Sequence, residues 1–428
     1  MFQAIVRSAW QRALQCAVSA LLAGTCLAFV PGGTRADDIG TDIANAFKQG
    51  QVNVSFRYRY EYVQDDNPTL LNDSANASTL RSRLTYKTGT FEDFAALIEM
   101  DDIRPIGNDD FNSTRNGKTD RPTVVDPEVT DLNQAYLQYT GFDRTSIIVG
   151  RQKIARGNER FVSPSSWRQN EQSFDAASVT FKNAEKFEAF YAFVDQVNRI
   201  YGPDDGVPPG EFDGQTHLAD LSYSFGPLAK VTAYGYFLDF DEAPTLSSQT
   251  IGLRIAGAFT LNDDFSIPYT AEYATQDDYA DNPVNYDADY YFVEAGLKYR
   301  TITAKIAYEV LDGSTSPNEA FQTPLATAHA FQGWVDKFAT TPTGGIEDTW
   351  FLVDFPLLGG NVKLRYDDFQ AETGNFDYGD EIGIWTTWPV GKYYAVAVKY
   401  ATFNASSQST APGLQDTDKF WVMLSANF

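Results

Sequence analysis

Four arginines in two neighbouring stretches are the residues of this chain with the clearest capacity for chemistry. Arg57 and Arg59 are two positions apart, and Arg81 and Arg83 repeat that spacing. Side chains two positions apart share one face of a β-strand, so each pair presents two guanidinium groups side by side. A guanidinium stays charged and offers a planar fork of N–H donors that suits carboxylates and phosphates. The pattern predicts a basic surface that binds anions.

A second set of charged residues has the opposite sign. Glu272, Glu294 and Glu309 lie on later stretches, roughly half the circumference away if the sheet closes into a cylinder. Opposed basic and acidic walls would set a transverse field that favours charged or dipolar solutes. The alternative is a salt-bridge network that braces the wall, with about 0–1 kcal/mol from each pair. Other charged residues with the inward parity are Arg254, Lys363 and Arg365.

A third basic group lies in the long connection 153–173 and its strand ends. It contains Arg151, Arg156 and Arg168, with Trp167 and Gln169 beside the last of these. If this connection folds inward, its arginines form an anion-selective constriction, which is our functional hypothesis. The alternative is an outer lid whose arginines neutralise nearby carboxylates or lipopolysaccharide phosphates.

The longest connection, 311–346, is predicted to contain a short amphipathic helix. Thr323 can act as its N-cap and Pro324 as its first residue, followed by apolar residues at helical spacing. The helix would narrow the opening of the barrel, with His329, Trp334 and Lys337 as constriction residues. Alternatively, it only covers exposed loop backbone.

Catalysis has little support in the sequence. The chain has two histidines, His217 and His329, and no G-x-S-x-G motif accompanies them. Both cysteines, Cys16 and Cys26, lie in the N-terminal apolar stretch, so a mature thiolate metal site is not expected. Acidic pairs such as Asp65-Asp66 lack EF-hand spacing and are interpreted as solvated surface charge. We expect no enzyme activity, cofactor or metal.

The elements that must position these residues are β-strands with one apolar face. Residues 52–62 alternate between apolar or tyrosine side chains and polar ones, and the last stretch ends on the aromatic Phe428. About 18 such segments of roughly 8–12 residues follow one another, the length of tilted membrane strands. In the last strand, the apolar positions are Phe420, Val422, Leu424 and Ala426.

The connections between these segments alternate between long and short. Long polar connections such as 64–77 and 311–346 are separated by tight turns such as Thr88-Gly89-Thr90. Long loops outside and short turns in the periplasm are typical of outer-membrane barrels. We therefore predict an all-β protein: one transmembrane antiparallel β-barrel of about 18 strands, spanning residues 51–428. A barrel this wide holds a channel unless it is plugged.

The N-terminus predicts the cellular compartment. Arg7 and Arg12 precede an apolar stretch, and Thr34-Arg35-Ala36 fits a small-x-small cleavage site, so residues 1–36 resemble a secretory signal peptide. Residues 37–50 would form a short periplasmic segment. Removing the signal peptide takes away three basic and no acidic residues, so the formal charge changes from −24 to −27. Such acidity argues against nucleic-acid binding.

Three stretches resemble the alginate-export family of outer-membrane barrels, particularly its porin-like members in Gram-negative bacteria. They are residues 57–61, residues 150–175 with their arginines and Trp167-Arg168-Gln169-Asn170, and residues 323–338. The resemblance implies an 18-stranded monomeric channel. In the alginate exporter itself, a basic pore guides an anionic polysaccharide and a long periplasmic turn helps plug it. The matching turn here, Trp388 to Lys392, has only five residues.

These observations predict an outer-membrane porin for passive diffusion of small hydrophilic, anionic solutes. Export of an anionic polysaccharide such as alginate is the alternative, and a binding or adhesion role of the acidic loops is a further one. The expected partners are outer-membrane lipid, lipopolysaccharide and the transported solutes. The barrel assembly machinery is expected to recognise Phe428.

Overall fold

A computed structural model of the chain describes residues 36–183, 186–374, 376–407 and 413–428. The predicted signal peptide therefore lies outside the described residues, apart from Ala36. One α-helix, α1 (Ala36–Lys48), precedes the strands in the part predicted to be periplasmic. Its Ala46 carbonyl oxygen accepts a hydrogen bond from the Gly89 amide at 2.8 Å, and the Tyr86 hydroxyl donates to the Phe47 carbonyl at 2.6 Å. These contacts attach α1 to the first short turn.

The described chain forms one 18-stranded antiparallel sheet that closes on itself. Each strand pairs with the next along the chain, and the last strand pairs with the first. The strands are β1 (Gln51–Asp65), β2 (Ser74–Lys87), β3 (Phe94–Asp110), β4 (Val129–Tyr139), β5 (Thr145–Gln152), β6 (Ser173–Asn183), β7 (Phe187–Asn198), β8 (Glu211–Ser224), β9 (Lys230–Leu238), β10 (Ser248–Thr260), β11 (Phe265–Asp278), β12 (Asp287–Tyr299), β13 (Ile302–Leu311), β14 (Ile346–Leu357), β15 (Gly360–Gln370), β16 (Asp377–Val390), β17 (Tyr394–Ala405) and β18 (Thr417–Asn427).

The closing seam between β1 and β18 uses the C-terminal aromatic. The amide of Phe428 donates to the Val54 carbonyl at 2.9 Å, and the Phe428 ring stacks on Tyr393 with centroids 5.6 Å apart. Closure leaves no open sheet edge. An open edge would expose unpaired backbone groups, which a membrane-embedded sheet cannot tolerate. The predicted strand number and antiparallel barrel are confirmed.

Side-chain alternation sorts the strands into an outer apolar face and an inner polar one. Outward residues such as Val52, Leu84 and Ile251 keep about half or more of their surface exposed. Such a band suits contact with lipid hydrocarbon. Among the described residues, no helix is long and apolar enough to cross a membrane. We call the barrel end with the short turns and α1 the periplasmic end and the other the extracellular end.

The packed core of this molecule lies inside the barrel. Along β1, the inward residues Glu61 and Arg59 are fully buried, whereas Ser55 is partly exposed and Asn53 is exposed. The same gradient recurs from β13 to β18, so the lumen is filled in its extracellular half and opens toward the periplasm. Two long connections fill it: loop A (residues 153–172, between β5 and β6) and loop B (residues 312–345, between β13 and β14).

The prediction of an α-helix in loop B is wrong. The structure has only a 3₁₀ turn at Ala328–Ala330 there, and Leu325 instead forms a parallel β-bridge with Val162 of loop A. Gln332, Gly333 and Asp336 have positive φ angles, which a right-handed helix excludes. The apolar residues assigned to one helical face instead lie in an irregular segment inside the lumen, where Leu325, Val335 and Phe338 are buried.

Candidate functional site

Loops A and B are joined into one unit inside the lumen. The Ser163 amide donates to the Leu325 carbonyl at 2.9 Å, and the Thr327 amide donates to the Glu159 carbonyl at 3.1 Å. The Gln172 side-chain amide bonds the carbonyl oxygens of both Ser163 and Leu325. Because each loop satisfies backbone groups of the other, neither can leave the lumen without exposing unpaired buried groups.

The arginines of β1 bind loop A through its backbone. Arg57 donates to the Gln169 side-chain oxygen at 2.8 Å and to the Ser166 carbonyl at 2.9 Å, with a further bond to the Arg168 carbonyl. Arg59 donates to the Trp167 carbonyl at 2.7 Å. All four of these acceptors are neutral. Arg59 also lies 3.6 Å from Glu61 and 3.9 Å from Asp126, so the charge that stays uncompensated is that of Arg57.

The arginines of β2 are paired with carboxylates instead. Arg83 contacts Asp101 at 2.5 Å and Glu171 at 2.9 Å, and Arg81 contacts Glu171 at 3.2 Å. Lys153 also reaches Glu171, at 2.5 Å. Burial alone would raise the pKa of Glu171, but these three cations hold it below its usual range. Among the described residues, Arg57 alone of the four strand arginines has no carboxylate within 4 Å, and it is partly exposed.

Gln169 connects Arg57 to a residue at the extracellular end. Its backbone amide donates to Asp126 at 3.1 Å, and Asp126 lines an extracellular cavity of about 320 Å³ together with Arg104, Arg115 and Asp204. Its side chain contacts Arg57, which is partly exposed. Gln169 itself is buried between these two contacts.

Loop B is anchored by Glu381 of β16. The Glu381 carboxylate accepts hydrogen bonds from the backbone amides of Trp334 and Val335, the second at 3.0 Å. Gly333 precedes this pair with a φ of 81°, and a Cβ there would lie 2.3 Å from a Glu381 oxygen. Glycine at this position therefore permits the close approach of the backbone to the carboxylate.

The predicted acidic wall lies on β11, β12 and β13, opposite the arginines as expected. Each of its carboxylates has a nearby cation: Glu272 is 3.2 Å from Arg254, Glu294 is 3.0 Å from Lys305, and Glu309 is 2.7 Å from Arg160. These pairs correspond to the bracing alternative. They reduce the transverse field that unpaired walls would produce.

The remaining predicted residues are dispersed. Arg156 contacts Asp220 and Glu188 on the wall formed by β7 and β8. Arg151 pairs with Asp175 at 2.7 Å and alternates with the inward Gln152, so the structure does not bring it to the arginine cluster. Lys363 and Arg365 contact Asp354 and Asp367 on β14 and β15, and Lys337 contacts Asp65 at the extracellular end.

Lys399 of β17 lies at the centre of the loop contacts, although it is not among the site residues predicted from the sequence. Its Nζ is 4.0–5.5 Å from the ring centroids of four tryptophans and 2.6 Å from His329 Nε2. His329 stacks on Trp167 at 3.7 Å and reaches Asp336 through Nδ1 at 2.8 Å. A lysine at an inward position of an alternating strand was the available signal. The four tryptophans are Trp167, Trp334, Trp385 and Trp421.

Two titratable loop residues are perturbed at this point. Burial lowers the pKa of the His329 imidazole well below its usual range, Lys399 lowers it further, and Asp336 opposes the shift. Burial would raise the pKa of Asp336, but its hydrogen bond to His329 and the cations Lys419 and Arg168 hold it below the usual range. The neutral imidazole therefore accepts from Lys399 at Nε2 and donates to Asp336 from Nδ1.

Comparison with known proteins agrees with this fold. The family profile described as alginate export matches residues 49–302. No curated protein sequence matches the chain.

Solved structures of outer-membrane channels share the fold. OccAB2 from Acinetobacter baumannii superposes with a TM-score of 0.71 at 16% identity, covering 90% of this chain and 99% of that one. OccK9 (OpdG) from Pseudomonas aeruginosa has a TM-score of 0.69 at 11% identity, covering 90% and 99%. OpdK from the same organism, solved with vanillate, has a TM-score of 0.69 at 10% identity, covering 89% and 99%. At these identities, the likeness concerns the fold.

Proposed function

The chain belongs to the alginate export family, and on that premise we propose that it is an outer-membrane channel for passive diffusion of small anionic solutes. Arg57 carries the proposal. It is a partly exposed residue whose guanidinium is bonded to neutral acceptors of loop A, and it lies beside Arg59 and Arg81. A cation whose charge is not cancelled nearby attracts anions into a pore.

The internal loops favour small solutes over a polymer. Loops A and B occupy the extracellular half of the lumen, where buried Gln169 contacts both Asp126 and Arg57. A polysaccharide would need both loops to leave, at the cost of their hydrogen bonds and ion pairs to the barrel wall. A small carboxylate needs only a local displacement near Gln169. The vanillate bound by the structurally similar OpdK is such a small carboxylate.

We expect Arg57→Gln to lower the anion-to-cation permeability ratio by up to about fivefold. One cation about 8 Å from a permeating ion in water stabilises an anion and destabilises a cation by about 0.5 kcal/mol each, so the difference of about 1 kcal/mol corresponds to that factor. The ratio is obtained from reversal potentials in planar bilayers across a salt gradient. Arg300→Gln is the control, because Arg300 pairs with Asp264 in an exposed periplasmic turn. An unchanged ratio in Arg57→Gln would contradict the proposal.

We also propose which molecules surround the barrel. Its outer apolar band would contact outer-membrane lipid, with lipopolysaccharide around the extracellular loops. Phe428 at the closing seam would be recognised by the barrel assembly machinery. We propose a monomer, because one chain closes the sheet.

A further inference from the structure

His329 and Lys399 form a buried hydrogen bond that has no part in the proposed channel activity. His329 belongs to loop B and Lys399 to the barrel wall, and the distance between Nε2 and Nζ is 2.6 Å. Both groups are buried, Lys399 completely. While Lys399 carries its charge, its ammonium group can donate only, and the hydrogen bond then requires an unprotonated Nε2 on the imidazole.

We propose that this pair, with the four-tryptophan cage around Lys399, is an acid-sensitive latch that holds loop B against β17 and releases it in acid. The inference rests on the proposed function, because it concerns the opening of the same channel. Protonation of Nε2 removes the acceptor and places two cations 2.6 Å apart in a buried site. The strain is relieved when loop B moves away from β17.

The cage makes the latch depend on both loops. Trp167 comes from loop A and Trp334 from loop B, whereas Trp385 and Trp421 come from the wall. The ammonium of Lys399 is stabilised by the ring faces, which replace part of its lost hydration. Because Trp167 also stacks on His329 at 3.7 Å, a displacement of the imidazole also disturbs the packing of loop A at Trp167.

Other charges surround the imidazole and oppose one another. Asp336 accepts from Nδ1 and favours the protonated ring, but it is shared with Arg168 at 2.9 Å and lies 3.8 Å from Lys419. Asp336 is therefore already partly neutralised, so it cannot fully compensate a second positive charge. Further charged groups around loop B at this level are Arg59 and Glu61 of β1, Glu309 of β13, Arg365 and Asp367 of β15 and Glu381 of β16.

The sign of the pH effect follows from these contacts. Burial and Lys399 depress the His329 pKa in the closed state, whereas a released, solvated histidine titrates near 6.5. The open state therefore binds protons more readily, and closure is complete above that pH and is lost below it. Between pH 7.5 and 5.0, the ratio of closed to open channels should fall by up to about 30-fold.

The test records single-channel open probability of the full chain in planar bilayers at pH 7.5 and 5.0. His329→Gln keeps a donor toward Asp336 and an acceptor toward Lys399 but cannot be protonated, so its open probability should not respond to pH. Lys399→Gln removes the second cation and should weaken the response. His217→Gln is the matched control, because His217 lies on the outer face beside Tyr191 and should respond as the wild type does.

Each outcome bears on one claim. Migration of unheated samples on denaturing gels establishes that each variant has a folded barrel. A wild-type response that is lost in His329→Gln and kept in His217→Gln supports the latch. A wild type that ignores pH, or a response unchanged in His329→Gln, overturns the latch and leaves the channel proposal intact. Absence of conductance at both pH values in every variant overturns both.

Discussion

Deleting residues 324–340 is expected to raise the single-channel conductance several-fold. The deletion removes the segment of loop B that fills the extracellular half of the lumen, including the buried Leu325, Trp334 and Phe338. It also removes the bonds to Glu381 and Lys399 that hold the loop against the wall. The barrel itself should persist, since every strand keeps both neighbours. An 18-stranded barrel without internal loops encloses a wide aqueous channel.

The matched control is deletion of residues 67–71 in the connection between β1 and β2. This segment is mostly exposed at the extracellular end and contributes no residue to the core inside the barrel, so its loss should leave conductance unchanged. Conductance would be measured in planar bilayers at 1 M salt, where surface charge is screened within about 3 Å. If both deletions conduct like the full chain, loop B does not limit the passage of ions.

The second large effect concerns stability. Arg160 of loop A and Glu309 of β13 are each about 1% exposed and form an ion pair at 2.7 Å. Glu309 also accepts from Tyr290 at 2.8 Å and from Gln332 of loop B at 2.6 Å. Arg160→Met leaves a buried carboxylate without its cation, which costs about 3–5 kcal/mol. Equilibrium unfolding in phospholipid vesicles would measure this loss as a lower free energy of unfolding.

Two further variants separate charge from packing. Arg160→Met combined with Glu309→Gln removes both charges and should recover most of the lost free energy, because no buried charge remains. Arg300→Met breaks an exposed pair with Asp264 and should cost about 0–1 kcal/mol. Equal losses in Arg160→Met and Arg300→Met would mean that the buried pair contributes no more than a surface one.

The barrel could be predicted from the sequence because the pattern that specifies each strand is local. Strand parity depends on neighbours two positions apart, so the inward positions of Arg57, Arg83 and Glu309 follow from the order of residues along each strand. The alternation of long and short connections fixes the sides of the membrane in the same way. The opposed positions of the basic and acidic residues then follow from counting strands.

The path of the long loops was beyond local inference. Helical spacing in loop B suggested an α-helix, but Val162 of loop A and Glu381 of β16 hold its backbone in a non-helical conformation. These partners are distant in sequence, and their contacts outweigh a local propensity. The importance of Lys399 was missed for the same reason, because two of its four tryptophans, Trp167 and Trp334, reach it only through the folded loops.

The amino-acid sequence by itself determined a closed 18-stranded barrel, its lipid-facing band and the charged residues that point inward, because a period of two acts along each strand separately. Only the tertiary structure decided that most of those charges are paired, that Arg57 is not, and that two loops fill half of the lumen. Those outcomes depend on which side chains come into contact after the sheet closes. Burial then gives each contact a large effect on the free energy of the folded state.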